Sequence, residues 1–239
     1  KLLTACIAVA LVLVIILIAF INASTPRLRT LDLSLTKSSN PSRQLTLVAV
    51  SDIHLGTLVG KGRLNHLVDR INSLSPDIVV LAGDIVDEDL APVIRENLGA
   101  TLSNIKSRFG VYAITGNHEY IGGAEEAVAY LEEHGIRMLR DTCIVLRGGI
   151  TICGREDRSS VQFGGKRRKG LGELLKDVDR TRPVILMDHQ PFGLDTVAQA
   201  GVEPLVDWLE QERITLCKSP GRAGHSDASR ADHESHGSA

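Results

Sequence analysis

Four short polar motifs carry the residue types that bind divalent metal ions. Each contains a carboxylate or an imidazole, and each directly follows a run of apolar, β-forming residues. Carboxylate, imidazole and amide oxygen ligands together favour Mn, Fe, Zn or similar divalent ions over thiophilic ones. One such motif alone is more often a turn or a helix cap, but four in this order indicate one metal centre. In chain order, the motifs are Ser51-Asp52-Ile53-His54, Gly83-Asp84-Ile85-Val86-Asp87, Gly116-Asn117-His118-Glu119 and Asp188-His189-Gln190-Pro191.

These motifs need strands that end at one edge of a sheet. Apolar runs rich in β-formers predict strands, and apolar residues at every third or fourth position predict helices. Such alternation is typical of an α/β layered domain, in which ligands bind outside the carboxyl ends of the strands. We therefore expect the motifs to converge. The predicted strands cover 45–51, 77–83, 110–116 and 183–189, with a hairpin over 143–154, and the predicted helices lie at 61–74, within 92–107 and at 124–135.

The N-terminal segment is uncharged and almost purely aliphatic from Leu2 to Ile21. About 20 such residues in a helix span roughly 30 Å, the thickness of the hydrocarbon core of a membrane. We expect residues 1–26 to form a transmembrane anchor in the cell membrane, as a single span or the last of several, and residues 27–44 to form a linker. The alternative is a signal peptide, whose apolar region is usually shorter, about 7–15 residues. The basic residues that follow the span, taken alone, place the C-terminal side in the cytoplasm.

The composition limits the function classes. The chain has 239 residues, of which 43% are hydrophobic and 23% are charged, which excludes an intrinsically disordered chain. A formal net charge of -2 gives no drive toward nucleic acid, so we expect no nucleic-acid partner. The four cysteines are scattered without a CxxC pair, which argues against a disulfide framework and a cysteine-rich zinc module. The first residue is Lys, so we expect a fragment or a processed product.

The four motifs in this order resemble those of the calcineurin-like metallophosphoesterase superfamily. The segments that carry the resemblance read SDIHLG, GDIVDED, GNHEY and DHQP, and the resemblance covers residues 45–202. The pairing of YAITGNHEY with HQPFGLDTVAQAG after a hydrophobic anchor is similar to bacterial membrane-associated members. The resemblance implies a β-sandwich flanked by helices, with a two-metal site at one edge.

The resemblance also implies a role for each motif residue. His118 would contact the phosphate and help to protonate the leaving group. Asp87 and Glu119 would orient the metal ligands, and the alternative for both is a solvated loop charge. The five implied ligands of the two divalent ions are Asp52 and His54 for the first ion, Asp84 as the bridge between both ions, and Asn117 and His189 for the second.

The sequence departs from the family pattern after the fourth motif. The family closes its site with a Gly-His-x-His motif, one His to each ion, and this motif is missing, since EPLVDWLEQER stands in its place. Residues 203–218 have the pattern of a short amphipathic helix, and the Ser-, Gly- and His-rich end is typical of disorder. We expect a C-terminally incomplete domain over 45–202 and a divergent, truncated or frame-shifted tail over 203–239, in which His225 is the candidate for a replacement ligand.

Three functions fit these features. The first is a membrane-anchored, metal-dependent phosphoesterase. Because the anchor holds the site near the bilayer, this function includes a lipid-linked phosphoester as a possible substrate. The second is a truncated or degenerate, non-catalytic member of the same fold. The third is a nuclease of the superfamily, against which the lack of a basic surface argues. A basic loop at 166–169 is expected to be solvated, or else to meet an anionic headgroup or a phosphorylated substrate.

Overall fold

Two β-sheets pack face to face, and helices cover their outer faces. The computed structural model describes residues 1–24, 28–32, 45–165, 167–190, 197, 199–200, 203–204 and 214–218. The strands are β1 (Leu28–Asp32), β2 (Thr46–Val50), β3 (Ile78–Ala82), β4 (Val111–Ile114), β5 (Arg137–Met138), β6 (Thr142–Val145), β7 (Thr151–Gly154), β8 (Val184–Met187), β9 (Glu203–Pro204) and β10 (Ile214–Lys218). The helices are α1 (Leu2–Ser24), α2 (Lys61–Ser73), α3 (Ala91–Arg95), α4 (Leu98–Leu102), α5 (Asn117–Gly122), α6 (Ala124–Glu133), α7 (Ser159–Phe163) and α8 (Leu171–Leu174).

The strands that carry the motifs end at a common edge. Within the described residues, the first sheet has the order β1-β10-β2-β3-β4-β5 and the second has the order β6-β7-β8-β9. Strands β2, β3 and β4 are parallel to one another, and so are β7 and β8. The imidazole of His189, which follows β8, donates a hydrogen bond from Nδ1 to the carbonyl of Ala82 at the end of β3, at 2.8 Å. We call the edge formed by the carboxyl ends of these strands the site edge.

Side chains that alternate along the strands build two cores. In β2, Leu47 and Ala49 point toward the second sheet, whereas Val48 and Val50 point toward the helices. Each fully buried aliphatic side chain of this kind contributes about 1.5–3 kcal/mol. The expected β-sandwich flanked by helices is therefore confirmed. The α2 residues in the helix-facing core are Leu64, Leu67, Val68 and Ile71, which share the face that the sequence periodicity indicated.

The predicted helix within 92–107 is two short helices, α3 and α4. Asn97, between them, has φ 51° and ψ 48°, a left-handed conformation that interrupts a right-handed helix. Asparagine is one of the few non-glycine residues that adopt this conformation readily. The spacing of the apolar residues predicts a helical face over this segment. It does not predict that the helix is interrupted at Asn97.

Two strands lie in segments for which we expected other structure. Residues Leu28–Asp32, within the expected linker, form β1, and Ile214–Lys218, at the end of the expected amphipathic helix, form β10. Strand β10 pairs antiparallel with β2 and parallel with β1. The reason is non-local, because β2 offers backbone N–H and C=O groups that only a distant strand can satisfy. His225 and the rest of the tail lie outside the described residues.

A disulfide joins Cys143 and Cys153, which corrects the expectation drawn from the cysteine spacing. The two residues are directly opposite each other in the antiparallel pair of β6 and β7. Adjacent cross-strand side chains lie close enough to interact, although they are ten residues apart in the chain. A search for CxxC pairs misses such a bond, whereas the hairpin predicted over 143–154 contained the signal.

Candidate metal centre

Backbone hydrogen bonds extend the pairing of β2 and β3 beyond the ends of the strands. The N–H of His54 donates to the carbonyl of Asp84 at 2.9 Å, and the N–H of Leu55 donates to that of Ile85 at 2.8 Å. Three of the six non-glycine residues with positive φ in the described chain lie here, namely Asp52, His54 and Asp84 at 55°, 51° and 49°. This conformation costs roughly 1–2 kcal/mol per residue, and such strain concentrates at functional sites.

The carboxylate of Asp84 is the centre of the cluster and is only 3% exposed. Its Oδ1 accepts a hydrogen bond from the backbone N–H of His118 at 2.9 Å, which leaves Oδ2 facing three imidazoles. Oδ2 lies 3.3 Å from Nε2 of His189, 3.8 Å from Nε2 of His54 and 3.9 Å from Nε2 of His118. One oxygen surrounded in this way occupies the position of a shared ligand.

Two groups of side chains around Asp84 could each hold a metal ion. The structure brings together all five residues predicted as ligands, since Oδ1 of Asn117 lies 3.3 Å from Nε2 of His189. Ligands held about 2.1 Å from one ion in a tetrahedron lie roughly 3.4 Å apart, close to the spacings at Asp84. The oxygen and imidazole donors suit a borderline divalent ion. The groups are His54, Asp84 and His118, and Asp52, Asp84 and His189, with ligand atoms within 4.8 Å of one another.

His118 forms a dyad with Asp87. Its Nδ1 lies 3.0 Å from Oδ1 of Asp87, while its Nε2 faces the Asp84 carboxylate. Asp87 also lies 3.8 Å from Nδ1 of His54, so it contacts both imidazoles. The rings of His54 and His118 stand edge to face with centroids 4.5 Å apart. Asp87 is thus placed to fix the orientation and the proton position of His118.

Glu119 holds the backbone of the site loops rather than a ligand side chain. Its carboxylate is 1% exposed and accepts four backbone N–H groups. The donors are Ile85 at 2.6 Å and Val86 at 2.8 Å to Oε1, and Gly116 at 2.7 Å and Asp84 at 3.1 Å to Oε2. Burial raises the pKa of Glu119, and the N–H groups of Val86 and Gly116 limit that rise. A solvated loop charge, the alternative for this residue, does not fit this burial.

The charge of His189 is coupled to that of Asp84. Burial lowers the pKa of His189, but the hydrogen bond to Asp84 and its negative charge outweigh burial and raise the pKa to about 9. For Asp84, burial raises the pKa, and the hydrogen bond and positive charge of His189 bring it below its ordinary value. Because Nδ1 of His189 donates to the Ala82 carbonyl, loss of the other proton leaves a lone pair on Nε2 that could bind a metal ion.

Two glycines let the strand ends approach this closely. A Cβ at Gly83, whose φ is +92°, would lie 2.6 Å from Nδ1 of His189. A Cβ at Gly116 would overlap Oδ1 of Asp84. Any side chain at Gly116 therefore displaces the central carboxylate, which explains why glycine precedes Asn117 in the third motif.

Sequence reasoning missed a buried charge cluster beside the site. Asp188, which precedes His189, accepts a hydrogen bond from Nη1 of Arg155 at 2.9 Å and another from Nη2 of Arg168. Arg168 belongs to the basic loop, so this residue is not the solvated charge that we expected; its side chain is only 11% exposed. Burial and the nearby Arg168 lower the pKa of Arg155. The available signal was the position of Arg155, directly after β7 at the site edge.

Comparisons with known proteins show the family of this chain. The family model of the calcineurin-like phosphoesterases matches residues 45–219, beyond the domain end predicted at 202. The chain therefore belongs to the calcineurin-like phosphoesterase family, whose members are metal-dependent hydrolases.

Three similar proteins illustrate the match. An uncharacterized metallophosphoesterase of Helicobacter pylori strain J99 is 32% identical over 161 residues, which are 66% of this chain and 42% of that protein. A Bos taurus transmembrane protein with a metallophosphoesterase domain is 29% identical over 81% of this chain and 46% of its own length. The matched part is thus less than half of either relative. The crystal structure of a 5'-nucleotidase precursor from Thermus thermophilus aligns with TM-score 0.48 and 17% identity, over 67% of this chain and 40% of that one.

Proposed function

We propose that this chain is a membrane-anchored phosphoesterase that hydrolyses a phosphoester with two divalent metal ions of the Mn, Fe or Zn kind. The observation that supports this most directly is the Asp84 carboxylate, whose Oδ2 is shared by two groups of candidate ligands. A shared carboxylate offsets the repulsion between two ions that lie about 3.5–4 Å apart. When bound, the ions supply Lewis-acid chemistry and offset the charge that develops on the phosphoryl oxygens.

The proposed metal ligands are assigned by their positions at the site edge. As the resemblance divides them, Asp52, His54 and Asp84 would hold one ion, and Asp84, Asn117 and His189 the other. The ligand atoms that lie within 4.8 Å of one another pair differently, with Asp52 beside His189 and His54 beside His118, and Asp84 belongs to both groups in either division. These donors follow four different strands, so the rigid sheets fix their spacing. Gln190 donates from Nε2 to Oδ1 of Asn117 at 3.1 Å, which orients that amide oxygen.

His118 would donate a proton to the leaving oxygen. Its Nδ1 is paired with Oδ1 of Asp87 at 3.0 Å, which fixes the orientation of the ring and leaves Nε2 to face the leaving oxygen. Its Nε2 faces the same space as the candidate ligands, so the proton would reach an oxygen at the ions without rearrangement. Asp87 thus acts as a positioning residue for His118.

The helix α1 would hold the protein in the membrane. It contains a 20-residue stretch, Leu2–Ile21, with mean hydropathy 3.3 and no burial inside the protein. This stretch is long and apolar enough to cross a bilayer by length and composition. Recovery of the full chain in the soluble fraction after a carbonate wash would contradict this assignment.

The test of the activity is hydrolysis of bis-(p-nitrophenyl) phosphate by the full chain in detergent, with and without Mn²⁺. We expect turnover that requires the metal and falls by at least about 100-fold in His118→Ala, the size typical of losing a general acid. His66→Ala is the matched control, since His66 is an exposed residue on α2. Metal-independent turnover, or equal turnover in the two variants, would refute the mechanism.

A second candidate function is a non-catalytic, metal-binding protein of the same fold. The observation that favours it is the sequence, which contains no Gly-His-x-His. Two protein ligands fewer would loosen both ions, and a misplacement near 1 Å can reduce a rate by on the order of 100-fold. The comparison is with a version in which the residues after Val202 are replaced by a strand carrying Gly-His-x-His. Bound metal without turnover in the natural chain, together with turnover in the replaced version, would favour the non-catalytic function.

A further inference from the structure

The apolar helix α1 joins the domain at the site edge. Strand β1 is parallel to β10, and β10 is antiparallel to β2, so β1 runs opposite to β2. In the register of these strands, Leu28 is level with Ile214, and Ile214 is level with Val50, the last residue of β2. The chain therefore enters the first sheet beside the loop that carries Asp52 and His54.

Chain length limits how far the end of α1 lies from the site. Helix α1 ends at Ser24, four residues before Leu28. Four residues reach at most about 14 Å, and two strand spacings between Leu28 and Val50 add roughly 10 Å. If β1 ran in the opposite direction, its first residue would lie at the other end of β2, roughly 13 Å away along the strand. The four residues after α1 would then be too short to bring the end of α1 to the loops beyond β2.

A second contact places α1 on the same side. The guanidinium carbon of Arg63 lies 5.7 Å from the centroid of the Phe20 ring. Arg63 is in the first turn of α2, and α2 begins directly after the site loop. Phe20 is close to the end of the apolar stretch of α1. The end of the stretch and the start of α2 are thus neighbours at the site edge.

The loop between His54 and α2 carries an exposed leucine. The N–H of Gly56 donates to the carbonyl of Val59 at 3.3 Å, which closes a turn with Leu58 near its tip and 83% exposed. A single exposed leucine is ordinary, but this one lies on the side where α1 would leave the bilayer. A cleft of about 360 Å³ runs between Leu58 and Pro92 and reaches Asp87, the partner of His118.

We infer that the site edge rests on the bilayer surface, with Leu58 inserted among the lipid headgroups, so that the substrate is a phosphoester presented at that surface. The inference about the substrate rests on the proposed function. The inference that the site edge contacts the bilayer is independent of that function. Glu88 and Asp89 also line the cleft, so attraction to anionic lipids is not what holds this edge. The tether through α1 and the apolar contact of Leu58 hold it.

The test of the docking is the depth of single tryptophans in vesicles. The full chain, with its one native tryptophan removed by Trp208→Phe, is reconstituted into phosphatidylcholine vesicles that contain a nitroxide-labelled lipid. Leu58→Trp is compared with Val145→Trp, whose side chain is 70% exposed. Val145 pairs with Thr151 at the start of β7, so it lies at the opposite edge of the sandwich.

We expect at least twofold stronger nitroxide quenching, and a shorter emission wavelength, for Leu58→Trp than for Val145→Trp. Equal quenching of the two variants would overturn the docking, and so would failure of the chain to enter the vesicles. Neither quenching nor emission wavelength depends on bound metal or on turnover. A failure of the docking can therefore be distinguished from a failure of the proposed phosphoesterase activity.

A second measurement tests the substrate class. The substrates are water-soluble bis-(p-nitrophenyl) phosphate and a p-nitrophenyl phosphodiester with a hexadecyl chain, the latter held in the vesicles. We expect Leu58→Asp to lower the ratio of the vesicle rate to the soluble rate by about tenfold, because a carboxylate does not enter the interface. Val145→Asp should leave this ratio unchanged. An unchanged ratio in Leu58→Asp would overturn the statement about the substrate.

Discussion

Replacing Glu119 by glutamine tests whether one buried carboxylate holds the site loops. Both oxygens of Glu119 accept backbone N–H groups, two at each oxygen. Glutamine keeps one oxygen and presents an NH₂ group in place of the other. Two N–H donors of the loops after β3 and β4 then face a donor instead of an acceptor, inside a region closed to water.

The size of the effect follows from the two orphaned donors. Each buried donor left without an acceptor costs about 1–3 kcal/mol, so Glu119→Gln should lower the free energy of unfolding by about 2–6 kcal/mol. For a chain of this size, 1 kcal/mol moves Tm by about 2–4 °C. We therefore expect Tm to fall by at least about 4 °C. The variant should also bind less metal, because the two N–H groups that lose their acceptor, either those of Ile85 and Val86 or those of Asp84 and Gly116, lie in loops that carry candidate ligands.

The assay is thermal unfolding of the full chain in detergent, followed by circular dichroism in EDTA so that metal occupancy does not contribute. The matched control is Glu132→Gln, an exposed residue on α6 that should change stability by less than about 0.5 kcal/mol. A Tm of Glu119→Gln within about 1 °C of the natural chain would refute the reasoning, since it would show that the loops do not need the carboxylate charge.

Three further predictions concern the neighbouring charges. Asp84→Asn should lose more bound metal than Asp52→Asn by elemental analysis, because Asp84 belongs to both ligand groups; equal losses would count against a bridging role. Metal binding at pH 7.5 should release about one proton from His189, whose pKa is raised to about 9. The apparent metal affinity should therefore rise with pH until about 9, and calorimetry in buffers of different ionisation enthalpy that shows no proton release would contradict this. Asp188→Asn should lower the free energy of unfolding by about 3–5 kcal/mol, because it leaves Arg155 and Arg168 buried against each other without a full negative charge. The exposed pair of Asp179 and Arg182 is its control, and Asp179→Asn should leave Tm unchanged; equal Tm values for the two variants would show that burial of the cluster is unimportant.

The motif-bearing strands and the convergence of the motifs at one edge could be predicted because their signals are local. Each motif-bearing strand is a run of buried aliphatic residues, and the rule that ligands bind beyond the carboxyl ends of strands does not depend on the partner strand. Asp84 and His189 are far apart in sequence, but both directly follow such a run. Their approach to 3.3 Å follows from the packing of the two sheets, whose strands β3 and β8 both end at the site edge, and from Gly83, which admits the imidazole.

The features that could not be predicted depend on distant partners. Strand β10 forms because β2 has an unsatisfied side, and nothing in Ile214–Lys218 alone excludes a helix. The Cys143–Cys153 bond depends on the register of a hairpin, and the burial of Arg168 depends on Asp188. Glu119 was singled out as part of a motif, but its four backbone partners come from two loops and could not be inferred from its position after His118.

The site edge combines strain and charge that a folded protein would not keep without a reason. Asp52, His54 and Asp84 hold left-handed conformations, Glu119 is almost fully buried, and Asp84 relies on a protonated His189 for compensation. In the described structure, the Asp87 carboxylate lies 3.8 Å from Nδ1 of His54 and 3.0 Å from Nδ1 of His118, which adds further negative charge beside Asp84. Divalent ions bound in place of the proton of His189 would neutralise this cluster more completely than one imidazolium can. Ions that bind only to the folded chain would also stabilise it, by about 2.7 kcal/mol at a free concentration of 100 times the dissociation constant. Under the proposed function, the arrangement that costs stability in the metal-free chain would therefore make metal loading, folding of the site loops and phosphoester chemistry depend on the same Asp84 carboxylate.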